Sequence, residues 1–149
     1  MPLKLSIVTA DRTVLERDDV TRLVVPGADG QFTLLPSHAA LMTSLDLGEM
    51  IAYTVDGLEP IAIHGGFLQI ANDEVKVLAD AAERADDINE ERADQARGRA
   101  QERLTTRQVP IGEGQFDLLR AQMSMQRALL RLRVRRRKHG SGVPSVRAS

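Results

Sequence analysis

Arginine recurs at matching positions in two segments of the C-terminal third of this chain. The first segment carries Arg92, Arg99 and Arg103, and the second carries Arg120, Arg127 and Arg131, 28 residues further on. These spacings place the three side chains of each segment on one face of a helix. Two such faces could form a phosphate site, because guanidinium groups bind anions through paired hydrogen bonds. They could equally be solvated faces whose arginine stems cover an apolar seam.

A dense basic run follows at Arg133, Arg135, Arg136, Arg137 and Lys138. A helix with this charge could follow the phosphates of a nucleic acid, or it could dock on an acidic protein surface. Apart from Phe116, the segment lacks aromatic residues on which bases would stack, which favours an acidic protein partner. A basic nucleic-acid-binding or adaptor module on a β-domain is the alternative.

Residue patterns typical of catalysis are missing from the sequence. The chain has no cysteine, which excludes disulfides, thiolate nucleophiles and cysteine-ligated metals. His38, His64 and His139 are scattered, and neither a G-x-x-x-x-G-K-[ST] loop nor a G-x-S-x-G elbow occurs. The sequence therefore predicts neither enzymatic activity nor a metal site. His64, at the end of an apolar segment, is interpreted as a structural residue.

Short apolar segments separated by turn residues make up the first 85 residues. Leu3, Leu5 and Ile7 alternate with Lys4 and Ser6, as in a half-buried strand. Further strands are predicted over 20–25, 31–35, 50–55, 58–64, 67–71 and 74–79, with hairpin turns at Asp56-Gly57 and Asn72-Asp73. This pattern is typical of an all-β sandwich or barrel.

After residue 88 the apolar residues recur at helical spacing instead. One helix is predicted from an Asn89 cap to Leu104, with its seam at Ala93, Ala96, Ala100 and Leu104. A second is predicted from an Asp117 cap to about Lys138, with its seam at Leu118, Ala121, Met125, Ala128 and Leu132. The two form a helical hairpin. Because alanines bury little apolar area, we expect the first helix to dock weakly and the hairpin to detach without melting.

The predicted domains are a β-domain over 1–85, a helical hairpin over 86–138 and a disordered tail over 139–149. Residues 1–85 have a net charge of −7 and residues 86–149 a net charge of +6, which indicates two surfaces with different partners. No secretory signal is recognised, and no apolar stretch is long enough to span a bilayer. Any membrane association is therefore expected to depend on a partner.

Three segments resemble the epsilon subunit family of rotary F-type ATP synthases, which is called delta in mitochondria. They are V-P-G at 25–27 with G-Q-F-T-L-L-P-S-H-A-A-L at 30–41, I-A-I-H-G-G-F at 61–67, and V-L-A-D-A-A-E-R-A at 77–85. The resemblance extends over residues 1 to about 134. It implies a β-sandwich of about ten strands in two sheets, joined to the hairpin, in a non-catalytic subunit that takes part in ATP synthesis and hydrogen-ion transport.

The resemblance also implies partners. The sandwich would bind the gamma subunit and the c-ring, with Gln31, Phe32, His38 and Met42 at the rotor interface. The extended hairpin would restrain ATP hydrolysis by meeting acidic segments of the alpha and beta subunits. Its inhibitory basic face would consist of Arg120, Arg133, Arg135, Arg136 and Arg137. The chain would be peripheral, held by the complex at the cytoplasmic face of the cell membrane, with no nucleic acid partner.

Some members of the family bind ATP on the folded hairpin through an I/L-D-x-x-R-A motif. The matching residues and their companions here are Glu83, Ile88, Asn89, Arg92, Ala93, Arg99, Arg127 and Arg131. Asn89 stands where the motif has aspartate, which removes one acceptor charge but keeps a good helix cap. The loop 105–115 is longer than usual in the family and is expected to alter hairpin closure. The resemblance implies no required cofactor, with ATP as a regulatory ligand.

Overall fold

The computed structural model describes residues 1–105 and 114–139. The strands are β1 (Leu3–Val8), β2 (Thr13–Val20), β3 (Arg22–Gly27), β4 (Gly30–Leu34), β5 (Leu41–Thr54), β6 (Gly57–Ala71), β7 (Glu74–Ala79) and β8 (Ala82–Arg84). A 3-10 turn (Ala85–Asp87) leads into the helices α1 (Glu90–Thr105) and α2 (Gly114–His139). The predicted β-sandwich followed by a helical hairpin is confirmed.

Alternating aliphatic side chains close the sandwich around one core. The strands are hydrogen-bonded in the order β2-β1-β7-β6-β5-β3-β4, with β8 on β6. β1 and β7 are parallel, and the other pairs are antiparallel. Leu3 and Ile7 of β1 are fully buried in the same cluster as Leu23 and Val25 of β3. The sheet therefore folds back on itself, because residues from distant strands share one core.

Two long strands connect the halves of the sandwich. β6 pairs with β7 through Gly66–Ala71 and with β8 through Ile61–Ile63, while β5 follows it along its whole length. The described residues thus form eight strands rather than about ten, because β5 and β6 each take part in both halves. The sequence prediction divided β6 at Gly65-Gly66, whose φ angles of 81° and 131° bend the strand without ending its pairing. It also missed β2, β8 and the first half of β5.

Both predicted hairpins are present, but the turn between β5 and β6 consists of Val55 and Asp56 rather than Asp56-Gly57, because Gly57 already pairs with Thr54. The turn predicted at Asn72-Asp73 is confirmed. Asn72 and Asp73 connect β6 to β7 with φ angles of 51° and 61°, which these two residue types tolerate better than most. The Asp73 carboxylate also accepts a hydrogen bond from the Ser37 backbone N–H, at 2.6 Å. This bond attaches the loop after β4 to the turn after β6.

The start of α1 agrees with the prediction and the start of α2 does not. The Asn89 side-chain oxygen accepts a hydrogen bond from the Arg92 backbone N–H at 3.0 Å, as a helix cap does. The predicted Asp117 cap is wrong, because α2 begins at Gly114. Asp117 lies within the first turn, where the helix dipole favours a negative charge just as it does at a cap. His139 ends α2 rather than starting the tail; residues 106–113 and 140–149, with the predictions made for them, lie outside the described residues.

The two helices differ in what they contact. α1 packs on α2, whereas α2 also packs on β5, β6 and the 3-10 turn. Burial of Ala93, Ala100, Ala121, Ala128 and Leu132 agrees with the predicted seam, but Leu118 is 36% exposed. A second cluster, here called the docking cluster, consists of Ala62, Ala85, Ile88, Leu130 and Val134. The sequence prediction missed its α2 members because it assumed one apolar seam, and a helix lying between two partners needs two.

The bend in β6 generates a prediction about Gly66. A Cβ at this position would lie 2.7 Å from the Ala79 Cα and would also clash with the Leu78 carbonyl, and its φ of +131° is unfavourable for other residues. We expect Gly66→Ala to lower the free energy of unfolding by about 2–4 kcal/mol in denaturant titrations. Gly98→Ala is the control. It meets no atom within 4 Å and should stabilise α1 by up to about 1 kcal/mol. Equal stability of the two variants would contradict this account of the bend.

Candidate functional site in the docked hairpin

The C-terminal end of α2 lies against carboxylates of its own chain. We call these the acidic cradle: Glu49, Glu59 and Glu83 of the sandwich, Asp86 of the 3-10 turn and Glu90 at the start of α1. The ion pairs are Arg131–Glu83 at 2.7 Å, Arg136–Glu90 at 3.0 Å, Arg137–Glu49 at 2.7 Å, Lys138–Glu59 at 2.8 Å, Lys138–Asp86 at 2.7 Å and His139–Asp86 at 2.7 Å. The opposite charges of the two halves therefore meet within one molecule.

One member of the cradle is buried. Glu59 is 8% exposed, whereas Glu49 is half-buried and its partner Arg137 is exposed. Removing one partner of a buried pair costs about 3–5 kcal/mol, because the remaining charge is left uncompensated. Exposed pairs such as Arg136–Glu90 contribute about 0–1 kcal/mol. The largest single electrostatic contribution to docking therefore comes from Lys138, which pairs with Glu59.

Glu59 holds its charge through two cations. Arg84 on β8 donates to one of its oxygens at 2.6 Å and 3.0 Å, and Lys138 on α2 donates to the other at 2.8 Å. Burial raises the pKa of Glu59, but the hydrogen bonds from Lys138 and Arg84 outweigh burial and leave this pKa below its usual value. Burial lowers the pKa of Lys138, but its hydrogen bonds to Asp86 and Glu59 have the larger combined effect and leave this pKa above its usual value. Both groups are charged at neutral pH.

Glu83 connects the sandwich core to α2. One of its oxygens, Oε1, accepts a hydrogen bond from Arg131 at 2.7 Å and lies 3.2 Å from the Nε2 of His64 on β6. The hydrogen bond with His64 lowers the pKa of Glu83, and Arg131 lowers it further against the opposing effect of burial. The sequence prediction treated His64 and Arg131 as unrelated, since they are brought together only by the tertiary fold.

Seven of the eight predicted nucleotide-binding residues line one cavity. The cavity has a volume of about 560 Å³ and lies between β8, α1 and α2. The residues of the predicted set that line it are Glu83, Ile88, Asn89, Arg92, Ala93, Arg99 and Arg131. Arg127 is not among the lining residues, and its guanidinium lies 3.3 Å from the Ser124 hydroxyl. A volume of this size falls within the range of small-molecule sites.

The charge of this cavity suits an anion. Arg92, Arg99 and Arg131 line it together with Glu83 and Asp87, an excess of one positive charge. Within the ranges 1–105 and 114–139, neither Arg92 nor Arg99 has an ion-pair partner. The guanidinium groups of Arg92 and Arg99 are therefore available to bind an anion. Asn89 uses its side-chain oxygen for the helix cap, a role that aspartate would fill equally well.

The predicted basic face is partly occupied in this conformation. Arg135 donates to the Ala85 carbonyl at 3.1 Å, and Arg136 and Arg137 belong to the ion pairs with the acidic cradle. Arg120 and Arg133 are exposed on α2, and Arg133 lines a groove of about 520 Å³ together with Gln31 and Arg137. Docking thus reduces the positive surface that an acidic protein or a nucleic acid could contact.

The predicted rotor residues lie on β4, in the loop after it and at the start of β5. Gln31, His38 and Met42 are exposed, Met42 to 69%, whereas Phe32 is half-buried against the sandwich core. Phe67 and Leu78 are also exposed, to 59% and 56%, and they pair across β6 and β7. The sequence prediction missed these two, although both stand at outward positions of alternating strands.

Family comparison assigns both parts of the chain. A profile described as the ATP synthase delta/epsilon chain beta-sandwich domain matches residues 2–85, and one described as its long alpha-helix domain matches residues 86–135. An ATP synthase epsilon chain of Herpetosiphon aurantiacus is 42% identical over 135 residues, covering 90% of this chain and 94% of the relative. One of Carboxydothermus hydrogenoformans is 48% identical over 106 residues, covering 70% and 78%.

Solved structures share the fold at low sequence identity. A chain in the Euglena gracilis mitochondrial ATP synthase, in an assembly of OSCP, F1 and c-ring, has a TM-score of 0.67 at 17% identity, covering 84% of this chain and 76% of that one. A chain of the central stalk and c-ring of the Tetrahymena thermophila mitochondrial ATP synthase has a TM-score of 0.58 at 14% identity, covering 91% and 97%.

The lowered pKa values in the acidic cradle predict that docking fails in acid. Glu59, Glu83 and Asp86 have pKa values below those of free carboxyls. Their contribution is therefore complete above the ordinary carboxyl range, at about pH 4–4.5, and is lost as the pH falls through the lowered values. The chain has no native cysteine, so dyes on cysteines introduced at the exposed positions 10 and 126 can report the sandwich–hairpin distance.

We expect this distance to stay constant from pH 7 to about 5 and to increase below about pH 4. Glu83→Gln should weaken docking at pH 7 and reduce the acid transition. Asp29→Asn, which changes an exposed carboxylate in the turn after β3, is the control and should leave the profile unchanged. A distance that is independent of pH while the strands stay folded would contradict the electrostatic account.

Proposed function

Since the chain belongs to the ATP synthase delta/epsilon chain family, we propose that it links the gamma subunit to the c-ring and restrains ATP hydrolysis with its hairpin. It is a non-catalytic subunit of an F-type ATP synthase. The observation that carries the regulatory part of the proposal is the set of ion pairs between the end of α2 and the acidic cradle. The cations needed for inhibition are held there by the chain itself.

The exposed end of the sandwich supports the rotor-linking part. Met42, Phe67 and Leu78 present apolar side chains to solvent on neighbouring strands, and apolar residues clustered in this way favour a protein partner. The Ser37–Asp73 bond attaches the loop that carries the exposed His38 to the turn between β6 and β7. We assign gamma and the c-ring as the partners of this end, as the family membership suggests.

Peripheral attachment to the cytoplasmic face of the cell membrane follows from the same proposal. Neither described helix is long and apolar enough to cross a membrane. The complex, through gamma and the c-ring, would then hold the chain close to the bilayer.

The hairpin is suited to act as a brake because its docking is exchangeable. The docking cluster has five buried members, two of them alanines, so its apolar contribution to docking is limited. Acidic segments of the alpha and beta subunits could replace the cradle carboxylates one for one, an exchange that leaves each cation paired. The docked state is then permissive for hydrolysis and the extended state is inhibitory.

ATP binding in the 560 Å³ cavity would stabilise the docked state. Arg131 enters the cavity from α2 and Glu83 from β8, so extension of the hairpin would dismantle it. Arg92 and Arg99 are the residues we assign to the phosphates, since no carboxylate within the described ranges pairs with them. A ligand that binds one of two states shifts the population toward it.

Neutralising the cradle tests the brake. We expect Glu49→Gln with Asp86→Asn to increase the fraction of extended hairpin and to lower ATP hydrolysis by the assembled complex about three- to tenfold, because three ion pairs of α2 are lost. Asp11→Asn with Asp18→Asn, the same change of two charges at exposed positions before and on β2, is the control and should leave hydrolysis unchanged. Extension of the hairpin without loss of hydrolysis would refute the proposal.

Replacing the unpaired arginines tests the nucleotide site. Arg92→Gln with Arg99→Gln should weaken ATP binding to the isolated chain at least about tenfold in calorimetry, because each removes a charge-assisted hydrogen bond. Arg97→Gln is the matched control on α1, since Arg97 pairs with Asp94 and does not line the cavity. No saturable binding to the unmodified chain at millimolar ATP would sink the nucleotide assignment and leave the brake untouched.

A further inference from the structure

The buried imidazole of His64 has a role that docking alone does not explain. Its side chain is 8% exposed, its Nε2 lies 3.2 Å from Glu83 Oε1, and its Nδ1 is buried without a partner among the described residues. A buried polar atom without a partner is unfavourable. The sandwich nevertheless keeps the ring at the point where β8 meets α2.

We propose that His64 is a proton-sensitive positioning residue, which holds Glu83 for Arg131 when it is neutral and loosens the hairpin when it is protonated. The inference deepens the proposed brake and rests on it only in taking docking as the regulated step. A neutral ring with its proton on Nε2 donates to Glu83 and orients the carboxylate toward α2. In this tautomer Nδ1 carries a lone pair and no proton, so it does not require a hydrogen-bond acceptor in the core.

A second proton changes this balance. His64 and Arg131 bind the same oxygen, so their nitrogens lie within about 6 Å of each other, a separation at which like charges disfavour one another. The proton on Nδ1 would also form a buried donor without an acceptor. In the undocked state Arg131 is gone and water can reach the ring. Protonation therefore favours undocking.

Few charged groups surround His64 that could make its protonation favour docking instead. Glu83 faces it from β8 and Arg131 from α2. Its cross-strand neighbour on β5 is the apolar Leu47. Asp80 is a nearby carboxylate, because its Oδ2 adjoins Gly65. Asp46 and Glu49 lie on β5 close to Leu47 in sequence, and Glu49 is paired with Arg137. Glu59, Glu83 and Asp86 have lowered pKa values, so these three carboxylates of the acidic cradle stay charged between about pH 5.5 and 8.

His139 has the opposite effect and must be removed before the test. Its Nε2 lies 2.7 Å from Asp86 at the end of α2, so a proton on it strengthens docking. The experiment therefore uses the full isolated chain with His139→Gln, without nucleotide or partner subunits. Dyes at positions 10 and 126 report the docking equilibrium from pH 8 to 5.5.

We expect the docking equilibrium constant of the His139→Gln chain to fall about tenfold between pH 8 and 5.5, because Arg131 lies beside the ring only in the docked state. Adding His64→Gln should retain tight docking at pH 8, because the amide can donate to Glu83, and should make the profile flat. Adding His64→Phe should weaken docking at pH 8 and also give a flat profile.

Two results would overturn the inference. One is a pH profile in the His64→Gln chain as steep as that of its parent, and the other is docking of the His64→Phe chain at pH 8 as tight as that of the parent. Circular dichroism at each pH verifies that the strands remain folded, and the glutamine variant decides the outcome if phenylalanine prevents folding. Because no nucleotide or complex is used, a failed brake or nucleotide site leaves this result interpretable.

Discussion

Two carboxylates of the sandwich, the buried Glu59 and the half-buried Glu49, are paired with the end of α2 in the docked state. A buried carboxylate remains charged only beside a cation. Glu59 has Arg84 within the sandwich as well as Lys138 of α2, whereas in the described part of the chain the cation paired with Glu49 is Arg137 of α2. The docked hairpin therefore supplies cations to both carboxylates, and undocking requires water or another cation to take their place.

The balance between charge and apolar contact at this interface suits a contact that must be reversible. An interface of leucines would gain about 0.8 kcal/mol per buried methylene and would be difficult to separate. The docking cluster is small instead, with Ala62, Ala85 and Ile88 facing Leu130 and Val134. Ion pairs add specificity of position, while their net contribution is limited by desolvation. The hairpin is consequently held in one register without being held permanently.

How far the sequence predicts this structure depends on the range of each interaction. The Asn89 cap and the Asn72-Asp73 turn follow from local chemistry, and both were predicted from residue type and spacing. β2 and β8 were missed, since strands such as Thr13–Val20 or Ala82–Arg84 depend on their neighbours for pairing. The charge asymmetry was recognised, but it was interpreted as two surfaces for outside partners. That Arg137 and Glu49, 88 residues apart, pair with each other could not be inferred without the fold.

The same arginines cannot serve the cradle and an outside partner at once. In the docked state Arg136 and Arg137 are paired within the chain, while the cavity is complete because β8, α1 and α2 all contribute to it. Extension would release the first set of cations and dismantle the cavity together. A ligand of the cavity and an acidic partner of α2 would therefore oppose each other without touching. Thermodynamic linkage then requires each to weaken binding of the other by the same factor, and the docking free energy sets the limit of that coupling.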